Sequence, residues 1–206
     1  MSALEDLLDN LDAARERTLM ALEMLPDEAL VAPGVIGRWS IADLLSILTA
    51  WDAEVVTGLL RLQGRKPPEK LLAALANPDF YNAARYQDAQ GRDLEVIFND
   101  FQAARMHLEE WLSELSERAL TDPRHYKALG GQPLGRVIAR ATYEHEARYL
   151  PFLTTYADRW EPEEEVDDVP GGISLATIGF ADALHSGDLP SGNGFGLEET
   201  EDDDDE

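Results

Sequence analysis

The sequence predicts an all-α fold, a four-helix bundle with a long crossover between its second and third helices. Four stretches before residue 160 repeat apolar residues at steps of three and four, the period of a helix with one buried face. No hairpin signal competes with them. The connection between the second and third stretches is long enough to cross one end of a bundle.

The first pattern runs from about Ser2 to Leu25, with Leu4, Leu7, Leu8, Leu11, Ala14, Thr18, Leu22 and Leu25 on one face; Pro26 and Asp27 end it. VAPGVIG reads as a turn-rich connection. The second opens at Ser40, an N-cap, with Asp43 at the third helical position as a carboxylate variant of the capping box. Ile41, Leu44, Leu45, Leu48, Trp51, Val55, Leu59 and Leu62 form its buried stripe, and QGRKPP stops it. Between Pro68 and Gly91 lie short helical pieces, EKLLAALA and FYNAARYQ, divided by Asn77-Pro78. The third pattern carries Leu94, Ile97, Phe98, Phe101, Arg105, Leu108, Leu112 and Leu115. The fourth begins at Pro133, which suits a first helical turn, and continues through Leu134, Val137, Ile138, Ala141, His145, Tyr149, Phe152 and Tyr156.

Of the 206 residues 44% are apolar, enough for a core, and the absence of cysteine removes disulfides and thiolate metal sites. Residues 1–160 hold all 17 basic residues and 25 of the 41 acidic ones, an ordinary balance for a domain. The remaining 16 acids fall in residues 161–206 without a single Lys or Arg, so this tail is expected to be disordered. Within it Ile173–Leu184 is apolar enough to form a short helix or to dock. The tail reads either as a solubilising extension or as an arm for a basic protein partner. A net charge of −24 argues against direct nucleic-acid binding and against binding at anionic membranes. With no membrane-length apolar run and an acidic N-terminus unlike a targeting peptide, a cytoplasmic protein is expected.

His145 lies on the centre line of the fourth helix and points into the bundle, with Tyr149 one turn on. The pair would line a ligand pocket, or His145 would be a core histidine satisfied by one hydrogen bond. Asp52 falls on the apolar face of the second helix, where a carboxylate needs a partner. It would meet His145 or an interior arginine, or sit at a hydrated bundle end. Trp51 beside it reads as core before ligand platform. His107 is on a polar face, His125 in a loop and His185 in the tail. Glycine-rich phosphate cradles, GxSxG, HExxH and paired Glu-x-x-His motifs are all absent.

Three blocks carry a family resemblance: GRWSIADLLSILTAWDAEV (Gly37–Val55), FYNAARYQDAQGRDLEVIFNDFQAARMHLEEWL, and PLGRVIARATYEHEARYLPFL. They resemble the helix-two entry, the "[FW]-N" element with helix three, and the helix-four start of the DinB-like superfamily of bacterial four-helix bundles, nearest its ClbS/DfsB-type branch. Metal-bearing members place one histidine on helix two and two on helix four. Carried over, those positions fall on Ile47, His145 and Tyr149, so the resemblance implies a degenerate site without metal or other cofactor. It also places Asn82 near a pocket mouth. The expectation is a metal-independent small-molecule-binding or stress/toxin-resistance module, with Trp39, Trp51, Asn82, His145 and Tyr149 as ligand contacts. The alternatives are a hydrolase or transferase with His145 as general base oriented by Asp52, and an interaction protein acting through its tail or as a homodimer through helix faces.

Overall fold

The computed structural model describes residues 2–160. The tail, its Ile173–Leu184 stretch and any partner of it lie outside the described residues. Helix α1 spans Ala3–Leu22, α2 Asp27–Val31, α3 Ile41–Gln63, α4 Glu69–Ala76, α5 Pro78–Ala89, α6 Leu94–Ser113 and α7 Glu117–Thr121. A 3-10 turn over Lys127–Leu129 precedes α8 (Leu134–Ala141), α9 (Tyr143–Glu146) and α10 (Leu150–Ala157). The bundle consists of α1, α3, α6 and the segmented fourth helix, with α4 and α5 as the crossover. Among the described residues the only β pairing is an isolated bridge between Ile36 and Trp39, in the connection before α3.

Helix starts are set locally. Ser2 and Ser40 each form a capping box: Ser40 Oγ accepts from Asp43 N (3.1 Å) and Asp43 Oδ2 accepts from Ser40 N (2.9 Å). The first helix ends three residues earlier than expected, and the segment after Pro26 forms the short helix α2. The hydroxyl of Tyr156 donates to the carbonyl of Ala29 (3.0 Å), fastening α2 to α10.

The fourth helix is not the single run expected. At Thr142 the backbone leaves helical geometry (φ −117°, ψ −105°), and a second break separates α9 from α10. Pro151 at the start of α10 has no N–H to donate to the preceding turn. The breaks shift the register by one residue: Phe152, expected inside, is 50% exposed, and Leu153 is buried in its place.

The core has three layers. One apolar cluster contains Leu7, Leu11, Trp51, Val55, Leu108, Leu112, Val137 and Ala141, and a second contains Leu22, Ile41, Leu44, Leu48, Ile97, Phe101 and Leu153. Each bundle helix carries one buried charge, Arg15 on α1, Asp52 on α3, Arg105 on α6 and Glu146 on α9. On α1, α6 and the fourth helix it falls between the members of one cluster and those of the other, and on α3 it follows Trp51, just past that boundary. Arg15 Nη2 and Nε donate to Asp52 Oδ2 (3.1 Å) and Glu146 Oε1 (3.3 Å). Arg105 Nε and Nη2 donate to Asp52 Oδ2 (3.0 Å) and Glu146 Oε2 (2.9 Å). The remaining guanidinium donors reach main chain, Arg15 Nη1 to Phe101 O (2.8 Å) and Arg105 Nη1 to Leu11 O (2.9 Å), and Arg15 also lies 3.5 Å over the Phe101 ring. Burial and then Arg105 hold the Arg15 guanidinium below its ordinary value. Burial acts in the same sense on Arg105, where the attraction of Asp52 and Glu146 outweighs it. Both stay cationic at neutral pH.

The crossover is seated through Gly58 of α3, where an added Cβ would stand 2.8 Å from Leu71 Cδ2 and 3.4 Å from Pro68 Cβ. Gly58→Val is therefore expected to lower unfolding stability by roughly 1–3 kcal/mol despite removing a helix glycine. Urea denaturation of the two proteins checks this; an unchanged or raised midpoint would mean that α4 is not held at this contact.

Candidate functional site

The residues singled out in the sequence separate into two groups. Asp52 belongs to the charged layer: its oxygens accept from Arg15 and Arg105, and among the described residues no hydrogen bond joins it to His145. Of the partners expected for Asp52, the structure selects the interior arginine. The orienting role expected of Asp52 toward His145 is therefore not seen among the described residues.

His145, Trp51, Asn82 and Tyr149 form the second group. α9 delivers His145, 1% exposed, and α3 delivers Trp51, 1% exposed, with ring centroids 4.6 Å apart. Tyr149, in the break before α10, meets the imidazole edge-on at 5.3 Å and 75°. Asn82 comes from α5 of the crossover and is buried.

Hydrogen bonding orders this cluster in one direction. The Trp51 indole can only donate, and its Nε1–H meets Asn82 Oδ1 at 2.8 Å, which fixes the amide orientation. Asn82 Nδ2 then donates to the Tyr149 hydroxyl oxygen (2.9 Å), leaving the phenolic hydrogen free to turn toward His145 Nε2 at 3.4 Å. That contact needs Nε2 as acceptor, so it suits the neutral tautomer carrying its proton on Nδ1. Burial, followed by Arg148, pushes the His145 pKa down to about 4, with Glu146 opposing. Burial also raises the Tyr149 phenol above its ordinary value, so it is an un-ionised donor at neutral pH.

Trp39 lies outside this cluster, half-buried, with its ring 6.4 Å from Tyr149 and stacked at 6.3 Å on Tyr86. The exposed Arg38 guanidinium lies 4.5 Å from the Tyr86 ring centre. Tyr81 packs on Trp51 at 4.7 Å and donates to Ala50 O (3.0 Å). With Trp51, Asn82 and His145 each no more than 2% exposed, the cluster is closed to solvent.

The donor set does not fit a metal. Ile47 is a fully buried hydrocarbon, Tyr149 is a neutral phenol, and His145 alone offers a nitrogen. Among the described residues no group of three His, Asp or Glu side chains is arranged to hold an ion. Of the other histidines, His107 and His125 are exposed, and His185 lies outside the described residues.

Sequence reasoning missed Arg15 and Glu146 as partners of Asp52, although Arg105 interrupts an otherwise apolar stripe and signalled an interior cation. It also missed Tyr81 and Tyr86. Their aromatic spacing in FYNAARYQ was visible, but the face they present depends on how the crossover folds back.

The pH dependence of His145 follows from its surroundings. A histidine whose folded pKa lies below its unfolded value of 6.5 contributes stability that is complete above that pH and is lost as pH falls through about 4. Between those values the loss attributable to it is about 3 kcal/mol. Urea midpoints recorded across this window should fall less steeply for His145→Gln than for the parent protein; parallel slopes would contradict a buried neutral imidazole.

The chain was also compared with known proteins. No curated protein and no solved structure matches it. The family model of the DinB superfamily matches residues 10–149, which take in the four bundle helices up to Tyr149 and so both the charged layer and the aromatic cluster. The all-α fold and the family model agree, and the chain belongs to the DinB superfamily.

Proposed function

We propose that this protein is a metal-independent DinB-superfamily module that binds a small organic molecule at the Trp51–Asn82–His145–Tyr149 cluster and the neighbouring Trp39, in a stress- or toxin-resistance role of the kind its resemblance to the ClbS/DfsB-type branch implies. One observation carries the reading: a one-directional chain of donors runs from Trp51 to Asn82 to Tyr149 to His145, and its last two members stand at positions where metal-bearing relatives are understood to carry histidines. A metal site converted to plain core would need only hydrocarbon there, as at Ile47. An indole, an amide, a phenol and an imidazole are costly to desolvate unless their hydrogen bonds are used.

The chemistry that this arrangement supports is recognition. Asn82 and Tyr149 can each exchange a partner for a ligand donor or acceptor, and Trp39 and Tyr86 supply flat apolar surface. Because the cluster is closed, ligand entry requires a side chain at its edge to move, and Trp39, half-buried beside Tyr149, is the one we assign to this. An imidazole of pKa about 4 is a weak base, and no carboxylate orients it, so the geometry favours binding over general-base catalysis.

Metal content and ligand response test the reading together. Protein incubated with zinc, nickel or manganese and then desalted should retain none stoichiometrically, whereas the Ile47→His/Tyr149→His variant should take up about one equivalent of zinc. In a thermal-shift screen of aromatic fragments, hits on the parent protein should lose their shift in Asn82→Ala. Stoichiometric metal in the parent, or no hit sensitive to Asn82, would overturn the proposal.

A further inference from the structure

A second site lies on the other side of Tyr81 from the Trp51–His145 cluster. A cleft of about 260 Å³ opens where the α4–α5 elbow folds onto α3, between Lys70, Phe80, Tyr81, Arg85 and Glu54. Its floor is small and apolar, formed by Ala73, Ala74 and Ala84. Phe80 stands at its side 75% exposed, an aromatic face that the fold leaves uncovered.

The polar groups of this cleft are unevenly satisfied. Arg85 pairs through Nη2 with Asp88 (2.9 Å) and lies 5.3 Å from the Tyr81 ring centre, yet its Nε is buried with no hydrogen-bond partner among the described residues. A buried N–H without an acceptor is uncommon and carries a desolvation cost. Lys70 faces the same space. Glu54 is the one carboxylate of the lining, half-buried, and burial raises it above the ordinary carboxylate range while Lys70 and Arg85 draw it back. Two cations, an uncovered aromatic ring and an alanine floor therefore face one small volume, in a domain whose surface is otherwise rich in acid.

We propose that this cleft binds a small organic carboxylate with an apolar or aromatic body. The carboxylate accepts from Arg85 Nε and Lys70, and the body lies on the alanine floor beside Phe80. The volume is below the range typical of drug-sized ligands, which restricts the class to single-ring or short-chain acids. A carboxylate matches a guanidinium edge in a way that a neutral isostere cannot. This inference stands apart from the reading of the His145 cluster: the two share no lining residue, and Tyr81, which lines the cleft, packs on Trp51 of the cluster.

The full chain, isotope-labelled, is titrated with phenylacetate, benzoate and hexanoate, and with phenylacetamide as the uncharged match. Saturable backbone shifts at Ala73, Ala74, Tyr81 and Ala84 are expected with the acids and not with the amide. Arg85→Gln should weaken phenylacetate binding about tenfold. Phe80→Ser should weaken phenylacetate and benzoate more than hexanoate. Both positions are at least partly exposed, and circular dichroism confirms that each variant is folded. No saturable binding by any of the three acids, equal binding of the amide, or no change in Arg85→Gln would overturn the proposal. Shifts confined to Trp39, Asn82 and Tyr149 would also overturn it, and would instead support ligand binding at the His145 cluster.

Discussion

Two arginines and two carboxylates meet at mid-height in this bundle, one from each of its four helices, and the rest of the structure is arranged around them. None of the four side chains is more than 9% exposed. Stripping such groups of water costs several kcal/mol each, and only near-complete pairing offsets that. Here pairing is near-complete: each carboxylate meets both arginines, and the spare guanidinium donors reach the carbonyls of Leu11 and Phe101. An apolar stripe tolerates a helix sliding by a turn, because leucine resembles leucine. A charge that must meet two partners does not. The layer therefore fixes the relative heights of α1, α3, α6 and α9, which is the specifying role that buried polar groups fill in some other helical assemblies.

That constraint also shapes the aromatic cluster. Glu146 must reach the arginines while its neighbour His145 reaches Trp51, and adjacent residues on one regular helix diverge by about 100°. Both are nonetheless buried, at 2% and 1% exposure, on the short α9 that follows the break at Thr142. Tyr149 then falls in the following break instead of on a continuing helical face, which brings its hydroxyl between Asn82 and the imidazole. A locally irregular backbone next to a group of polar side chains is a common arrangement at functional sites. In this chain the two breaks flank α9, which carries both Glu146 of the charged layer and His145 of the cluster.

Much of this was legible in the sequence. The capping box at Ser40, the buried faces of α1, α3 and α6, and the inward placement of His145 all follow from spacing, since each depends on residues within a few turns of one another. The break in the fourth helix was not read, although Pro151 stands within YLPFL; its cost at an internal helical position exceeds the preference of the flanking residues. The charged layer was half legible. Asp52 and Arg105 stand out because each interrupts an apolar stripe. Glu146 does not: it stands about 100° from the His145 stripe, on a row whose other members, Ala139 and Thr142, are too small or polar to mark it as buried. The closure of the cluster by Trp39, Tyr81 and Tyr86 is tertiary, set by how the crossover returns over α3, and no periodicity encodes it.

The central claim is that four mutually dependent charges hold the bundle in register. It is tested most directly by comparing unfolding free energies, from urea denaturation, of Asp52→Leu, of Arg105→Met, and of the fourfold variant Arg15→Met/Asp52→Leu/Arg105→Met/Glu146→Leu. The account predicts losses of about 3–5 kcal/mol for each single change, which strands a buried partner, and a far smaller loss when the whole layer becomes apolar. Single changes that cost no more than about 0.5 kcal/mol, the scale of surface substitutions, would contradict it.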